Sequence, residues 1–245
     1  MLFAGRIFLL GRRMNATISL QSVSKSYHQG IKAVDVFDDV SVVFEQGQSY
    51  AIMGASGSGK STLIHLLVGI DKPTQGDIVI HSQAARIQKY SCLSAHAKSM
   101  LFQKNISIVF QQASLFAELT VLENVMLKAI LAGVITDESL EHARDLLQEV
   151  GLLDKADVYP AMLSGGQQQR VAILRAIFIV PQFLLVDEPT GNLDEVSSKQ
   201  VIDLLIYYHK KYNMGLIVST HSSLIAQRMQ NLYVVYDKKL NYKAS

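Results

Sequence analysis

Residues 54–61, Gly54-Ala55-Ser56-Gly57-Ser58-Gly59-Lys60-Ser61, fit the phosphate-loop pattern G-x-x-x-x-G-K-[ST], and their surroundings restrict the fold more than any other stretch. Before them, Ser49-Tyr50-Ala51-Ile52-Met53 reads as a buried strand; after them, Thr62-Leu63-Ile64-His65-Leu66-Leu67-Val68 reads as an apolar helical run. Strand, glycine loop and helix in that order define an α/β core built to hold a nucleotide. The glycines let successive backbone N–H groups turn inward toward phosphate oxygens, where the positive end of the helix dipole adds attraction. Lys60 is expected to reach the β- and γ-phosphates, and Ser61 to set its hydroxyl on Mg²⁺. Kinases, GTPases and ATPases all share such a loop, so it leaves the reaction open.

The next acids narrow the choice. Phe183-Leu184-Leu185-Val186 is a continuous apolar run of the kind buried on both faces of a parallel sheet, and it ends in Asp187-Glu188. Ligands collect at the carboxyl ends of such strands. Asp187 is therefore expected to hold Mg²⁺, directly or through water, and Glu188, one residue further on, to polarise a water for in-line attack on the γ-phosphate. A second anion site opens about a hundred residues after the first, at Leu163-Ser164-Gly165-Gly166-Gln167, where Ser164 is a natural cap for a helix running to Ile177. On spacing alone, an ordinary capped helix would read the same way.

Residue identity decides the matter. The five residues 163–167 match letter for letter the signature motif of the ATP-binding subunits of ABC transporters, which the chain resembles from about Thr17 to its C-terminus. The resemblance implies a P-loop, RecA-like core with an antiparallel β edge region and an inserted α-helical subdomain. It implies ATP and Mg²⁺ as ligands and a homodimer formed on ATP binding, with Ser164, Gly165, Gly166 and Gln167 of one copy closing on the ATP in the phosphate loop of the other. Tyr27 matches the aromatic that stacks on adenine, and the loop from Gly54 to Thr62 holds the phosphates. Gln111, after Ile106-Ser107-Ile108-Val109-Phe110, falls at the Q-loop glutamine that senses Mg²⁺ and the attacking water; Gln112 is its neighbour and rival. His221, ending Val218-Ser219-Thr220-His221, matches the switch histidine that contacts the γ-phosphate, and Asp194 the aspartate that communicates across the dimer.

Within the family, Glu188-Pro189-Thr190-Gly191-Asn192-Leu193-Asp194, Leu119 to Val125 and Gly69 to Gly76 are similar to ATPases of the lipoprotein-releasing and macrolide-exporter type. That implies integral membrane permease partners and a peripheral place on the cytoplasmic face of the bacterial inner membrane. The rival readings are a soluble ABC ATPase acting on ribosomes or DNA, and a regulatory nucleotide-binding module. The first would bring tandem nucleotide domains or long coiled coils, and neither is visible.

Composition fits one substantial core: 245 residues, 49% hydrophobic, with a net charge of +2 that gives no electrostatic case for nucleic acid. A single cysteine, Cys92, excludes an internal disulfide. No stretch reaches the roughly 18 uninterrupted apolar residues of a membrane span, so cargo must cross through another protein. Residues 1–13 read as an extension, disordered or weakly membrane-associating, or as residues before a true start at Met14. Residues 14–245 read as a single ABC ATPase domain. Thr17 to Phe44 alternates as an antiparallel edge, with Val40–Phe44 and Ile78–Ile80 as strands. Residues 81–104 match the family least well; His81 and His96 there read as solvated. Thr120-Val121-Leu122-Glu123 is a capping box for a helix through Leu131, and Asp137 to Val150 forms a second, ended by Gly151. These helices define the expected subdomain at about 113–165, whose groove beside Leu115, Phe116 and Leu119 is the expected contact for a membrane protein.

Overall fold

Two sheets and a helical layer surround the phosphate loop. The computed structural model describes residues 15–29, 32–82, 88–94, 96–98, 101 and 105–243. The extension expected at 1–13 lies outside these residues, as does part of the 81–104 segment. A four-stranded antiparallel sheet runs in the order β2 (Lys32–Glu45), β1 (Thr17–Gln29), β4 (Gln75–His81) and β5 (Gln88–Lys89). A six-stranded sheet runs in the order β10 (Lys239–Lys243), β9 (Asn231–Tyr236), β3 (Ser49–Met53), β8 (Gly215–Ser219), β7 (Phe183–Asp187) and β6 (Ile106–Val109). Its five strands from β9 to β6 are parallel, and β10 returns antiparallel on β9.

The inner strands β3, β8 and β7 are mostly apolar because each faces two cores. Phe183, Leu185, Ile217 and Ile52 pack with α1 (Lys60–Leu67) and the antiparallel sheet. Their alternates Leu184, Val186, Leu216 and Val218 point the other way, into helices α2 (Val121–Val125), α4 (Asp137–Glu149), α5 (Gly165–Ile177) and α6 (Glu195–Tyr212). Period-two alternation along one strand thus feeds both sides of the sheet.

Two elements differ from expectation. The strand expected at Val40–Phe44 is only the end of β2, which starts at Lys32 and carries a left-handed kink at Asp39, φ 48°. The helix expected from Thr120 through Leu131 is two pieces, α2 and α3 (Leu127–Ala132), separated at Met126 with ψ near 2°. The bend keeps Val125 and Met126 buried and sends Lys128 inward, where its ammonium donates to Ser107 Oγ at 2.6 Å and to the Ala176 carbonyl at 3.1 Å. Burial pushes the Lys128 amine down to about 8. The capping box expected at Thr120 forms, the cap expected at Ser164 forms as a box with Gln167, and a further box sits at Thr136, with Ser139 in the return role.

Asn124 fixes the loop before α2. Fully buried, it accepts from the Phe116 N–H at 2.8 Å and donates to the carbonyls of Phe116, Leu119 and Thr120 at 3.0, 3.0 and 2.9 Å. Asn124→Ala takes these partners from the Phe116 N–H and the Leu119 carbonyl, whereas the Phe116 and Thr120 carbonyls keep the N–H groups of Leu119 and residue 124; each group left unpaired costs about 1–3 kcal/mol. The expected loss, read from the shift of the denaturant midpoint, is about 3 kcal/mol. A loss below about 1 kcal/mol would mean that other contacts hold residues 116–120.

Candidate active site

The loop after β3 wraps the start of α1. Gly59 caps that helix at φ 106°, a left-handed position, and a Cβ there would lie 2.4 Å from Val36 Cγ1. Both facts require glycine, because the antiparallel sheet presses β2 against the phosphate loop. Lys60, 6% exposed, folds back to donate to the carbonyls of Gly54 and Ala55, each at 3.1 Å. The Ser58 hydroxyl is buried without a hydrogen-bond partner.

Three strand ends deliver the remaining groups. Asp187, at the end of β7 and 7% exposed, accepts from Ser61 Oγ at 3.1 Å and from Ser219 Oγ at the end of β8. Glu188 takes the left-handed conformation at φ 48°, which for a non-glycine residue costs roughly 1–2 kcal/mol. Its N–H is held by the Ser219 carbonyl at 3.0 Å and Ser219 Oγ at 3.2 Å. That turn aims the Glu188 carboxylate back across the loop. One oxygen lies 3.2 Å from the Lys60 ammonium and the other 2.5 Å from His221 Nδ1. Gln111, just past β6, lies over Gly191 and joins Ser56, Lys60, Ser61, Glu188 and His221 around a cleft of about 580 Å³.

The cleft has the charge and the donors for a nucleotide triphosphate. Its lining offers a cation, hydroxyls and backbone N–H groups to phosphate, while Ser61 Oγ, Asp187 and Gln111 supply the hard oxygen donors that suit Mg²⁺. A carboxylate and an imidazole, those of Glu188 and His221, line the same cleft as the phosphate loop. Ser219 is the site residue that sequence reading passed over. Its signal was a lone hydroxyl closing the apolar run Leu216-Ile217-Val218.

Tyr27 lies outside the lining of this cleft, beside Thr62 on the first turn of α1, whose side chain hydrogen-bonds its hydroxyl. None of the cleft-lining residues comes from Ser164–Gln167. Those residues open α5 at another corner, where Ser164 and Gln167 exchange bonds in the capping box and Gly165 approaches Leu193. Asp194 caps α6 by accepting from the Ser197 N–H at 2.9 Å; the hydrogen bond from Ser197 holds its carboxyl below the usual range. Further along α5, Gln169 donates to the Phe110 carbonyl at 3.0 Å, and Arg175 to the carbonyls of Ser114 and Ala113 at 2.8 Å each. Sequence reading missed both of these links to the segment around Gln111.

Comparison with known proteins agrees with the geometry. The profile of the ABC transporter family matches residues 37–191. The lipoprotein-releasing system ATP-binding protein LolD of Legionella pneumophila (strain Lens) is 40% identical over 223 residues, covering 91% of this chain and 96% of that protein. The LolD protein of Rickettsia felis is 37% identical over 227 residues, 93% of this chain and 98% of the relative. Among solved structures, the ATP-binding cassette MJ0796, as a post-hydrolysis dimer bound to ADP and phosphate, superposes with a TM-score of 0.81 at 31% identity, covering 92% of this chain and 97% of that one. With its phosphate loop, strand-end acids and capped signature helix in the arrangement of such cassettes, the chain belongs to the ABC transporter family as an ATP-binding, ATP-hydrolysing subunit.

Proposed function

We propose that this chain drives a separate integral membrane permease in lipoprotein release or export, working from the cytoplasmic face of a bacterial inner membrane as a dimer assembled on ATP. The observation that carries the catalytic part is the convergence of Lys60, Ser61, Asp187, Glu188 and His221 on one cleft. The relatives named as lipoprotein-releasing ATP-binding proteins support the process, and the dimeric state of MJ0796 supports the assembly. Among the described residues no helix is long and apolar enough to cross a membrane, in keeping with a separate permease.

In this reading Lys60 and the N–H groups of Gly54 to Thr62 bind the phosphates, and Tyr27 offers its ring to adenine. Ser61, Asp187 and Gln111 would hold Mg²⁺, which when bound neutralises charge on the β- and γ-phosphate oxygens. Lys60 leaves Glu188 for phosphate, which frees the carboxylate to take a proton from the attacking water. His221, already against Glu188, turns to the terminal phosphate. Ser164, Gly165, Gly166 and Gln167 serve the other copy's nucleotide, and Asp194 links the two sites. Residues 14–245 act as one domain with a helical insertion at about 113–165. The groove beside Leu115, Phe116 and Leu119 takes the permease; Phe116 is half exposed there, whereas Leu115 packs inward.

Affinity purification from native membranes tests the reading. The expected result is an integral membrane protein retained with the chain, together with ATPase activity that EDTA abolishes and that Phe116→Ala uncouples from stimulation by that protein. Retention of ribosomes or DNA without a membrane protein would overturn the transport assignment, and ATP binding without turnover in the assembled complex would favour a regulatory module.

A further inference from the structure

Lys25 and Asp71 lie outside the cleft and have no part in the chemistry described above. Lys25, on β1, is only 7% exposed, an unusual burial for a lysine. Its ammonium donates to Asp71 Oδ1 at 2.6 Å and to the Lys72 carbonyl at 2.8 Å. The same ammonium sits 4.5 Å from the centre of the Tyr27 ring, over one face. Asp71 uses its second oxygen to accept from the Tyr27 hydroxyl at 2.6 Å, while its first also accepts from the Lys72 N–H at 2.7 Å. Burial by itself would push the Asp71 carboxyl up, but the hydrogen bonds from Lys25, Tyr27 and the Lys72 backbone bring it below the usual carboxylate range.

The three side chains form a closed triangle on a short connection. Asp71 follows α1 by a few residues, and its N–H bonds the His65 carbonyl within that helix at 3.2 Å. The Ser24 carbonyl accepts from the Thr74 N–H at 2.8 Å, and the Ser26 N–H donates to Thr74 Oγ1 at 3.0 Å, so β1 is laced to the segment after α1 on both sides of Lys25. Tyr27 itself is 37% exposed. Without these ties a tyrosine so exposed on an edge region would sample several rotamers, and ordering it on binding would cost affinity.

We propose that Lys25 and Asp71 are positioning residues for base recognition: they lock the Tyr27 ring in the place where adenine stacks, without touching the nucleotide. The proposal rests on the reading of Tyr27 as the adenine platform. One ring face is taken by the ammonium, which leaves the other for the base. The cation also draws electron density from the ring, which favours stacking of an electron-rich purine on the far side. Because the triangle bears on the base and not on the phosphates, its loss should separate ligands that carry adenine from those that do not.

Calorimetric titration of the full chain with ATP and with inorganic triphosphate, each with Mg²⁺, reads this separation. Lys25→Met and Asp71→Asn are expected to weaken ATP about threefold to tenfold and to leave triphosphate unchanged. Tyr27→Phe, which deletes only the tethered hydroxyl and leaves the fold intact, is expected to weaken ATP by a similar factor, and combining it with Asp71→Asn to add little. Lys25→Arg should restore part of the loss. If Tyr27→Ala weakens ATP while Lys25→Met, Asp71→Asn and Tyr27→Phe do not, the positioning role is wrong and the platform stands. If Tyr27→Ala binds ATP as the parent does, the platform reading itself fails. A parallel fall in triphosphate affinity would place Lys25 and Asp71 in support of the phosphate loop and overturn the proposal.

Discussion

Glu188→Gln should bind ATP with Mg²⁺ and turn it over about 10²–10⁴-fold more slowly, the range associated with losing a general base. The amide keeps the shape of the side chain and the left-handed backbone at φ 48°, so the fold and the bonds to Ser219 should survive. What changes is charge. The carboxylate neutralises Lys60 at 3.2 Å and holds His221 at 2.5 Å. A neutral amide releases Lys60 toward phosphate and cannot accept the proton of water, so binding is kept or strengthened while hydrolysis slows. Single-turnover assays read the chemical step, and light scattering with ATP should show dimer accumulating. Parent-like turnover would remove Glu188 from its role.

Gly166→Ala should also cost about 10²-fold in turnover, by an unrelated route. A Cβ at Gly166 would stand 2.7 Å from both Cβ and Oγ of Ser197. Rotating Ser197 relieves the Oγ contact but not the Cβ contact, so the N-termini of α5 and α6 must separate by a few tenths of an ångström. The phosphate loop lies elsewhere, so binding of ATP to the isolated chain should be unaffected. The loss should fall on dimer formation and on turnover by the dimer. Ser197→Gly removes the obstructing Cβ yet leaves the backbone N–H that Asp194 caps at 2.9 Å, so the double variant should recover most of the activity. Failure of that rescue, with both variants folded, would mean that the glycine serves something other than close packing of the two helices.

The contrast between these residues shows what could be read from the chain. Gly54 to Ser61, the apolar strand ending in Asp187-Glu188, the capping box at Thr120 and the helix cap at Ser164 are local patterns, in which chemistry and backbone geometry are encoded within a few positions. The partners that complete them are distant: Ser219 reaches Asp187 across 32 residues, Asp71 reaches Lys25 across 46 and Gln169 reaches Phe110 across 59. Their pairing is set by strand order and helix placement, which no short window contains. The bend at Met126 was hidden for a related reason. No glycine or proline marks it, and the break brings Lys128 to Ser107 on a strand earlier in the chain.

The two attachments of α5 to the segment around Gln111 carry a mechanical consequence. Gln169 grips the Phe110 carbonyl, while Arg175 grips those of Ala113 and Ser114. Six residues separate the two grips, about 9 Å along the helix axis. A single grip would let the helix pivot and dissipate a push; two spaced grips pass on both translation and tilt. Residues 110–114 therefore cannot move far without dragging α5 or breaking three hydrogen bonds of 2.8–3.0 Å. Gln111, which lines the cleft, lies between the two gripped stretches, so the helix that opens after Ser164 is tied to the cleft through this segment.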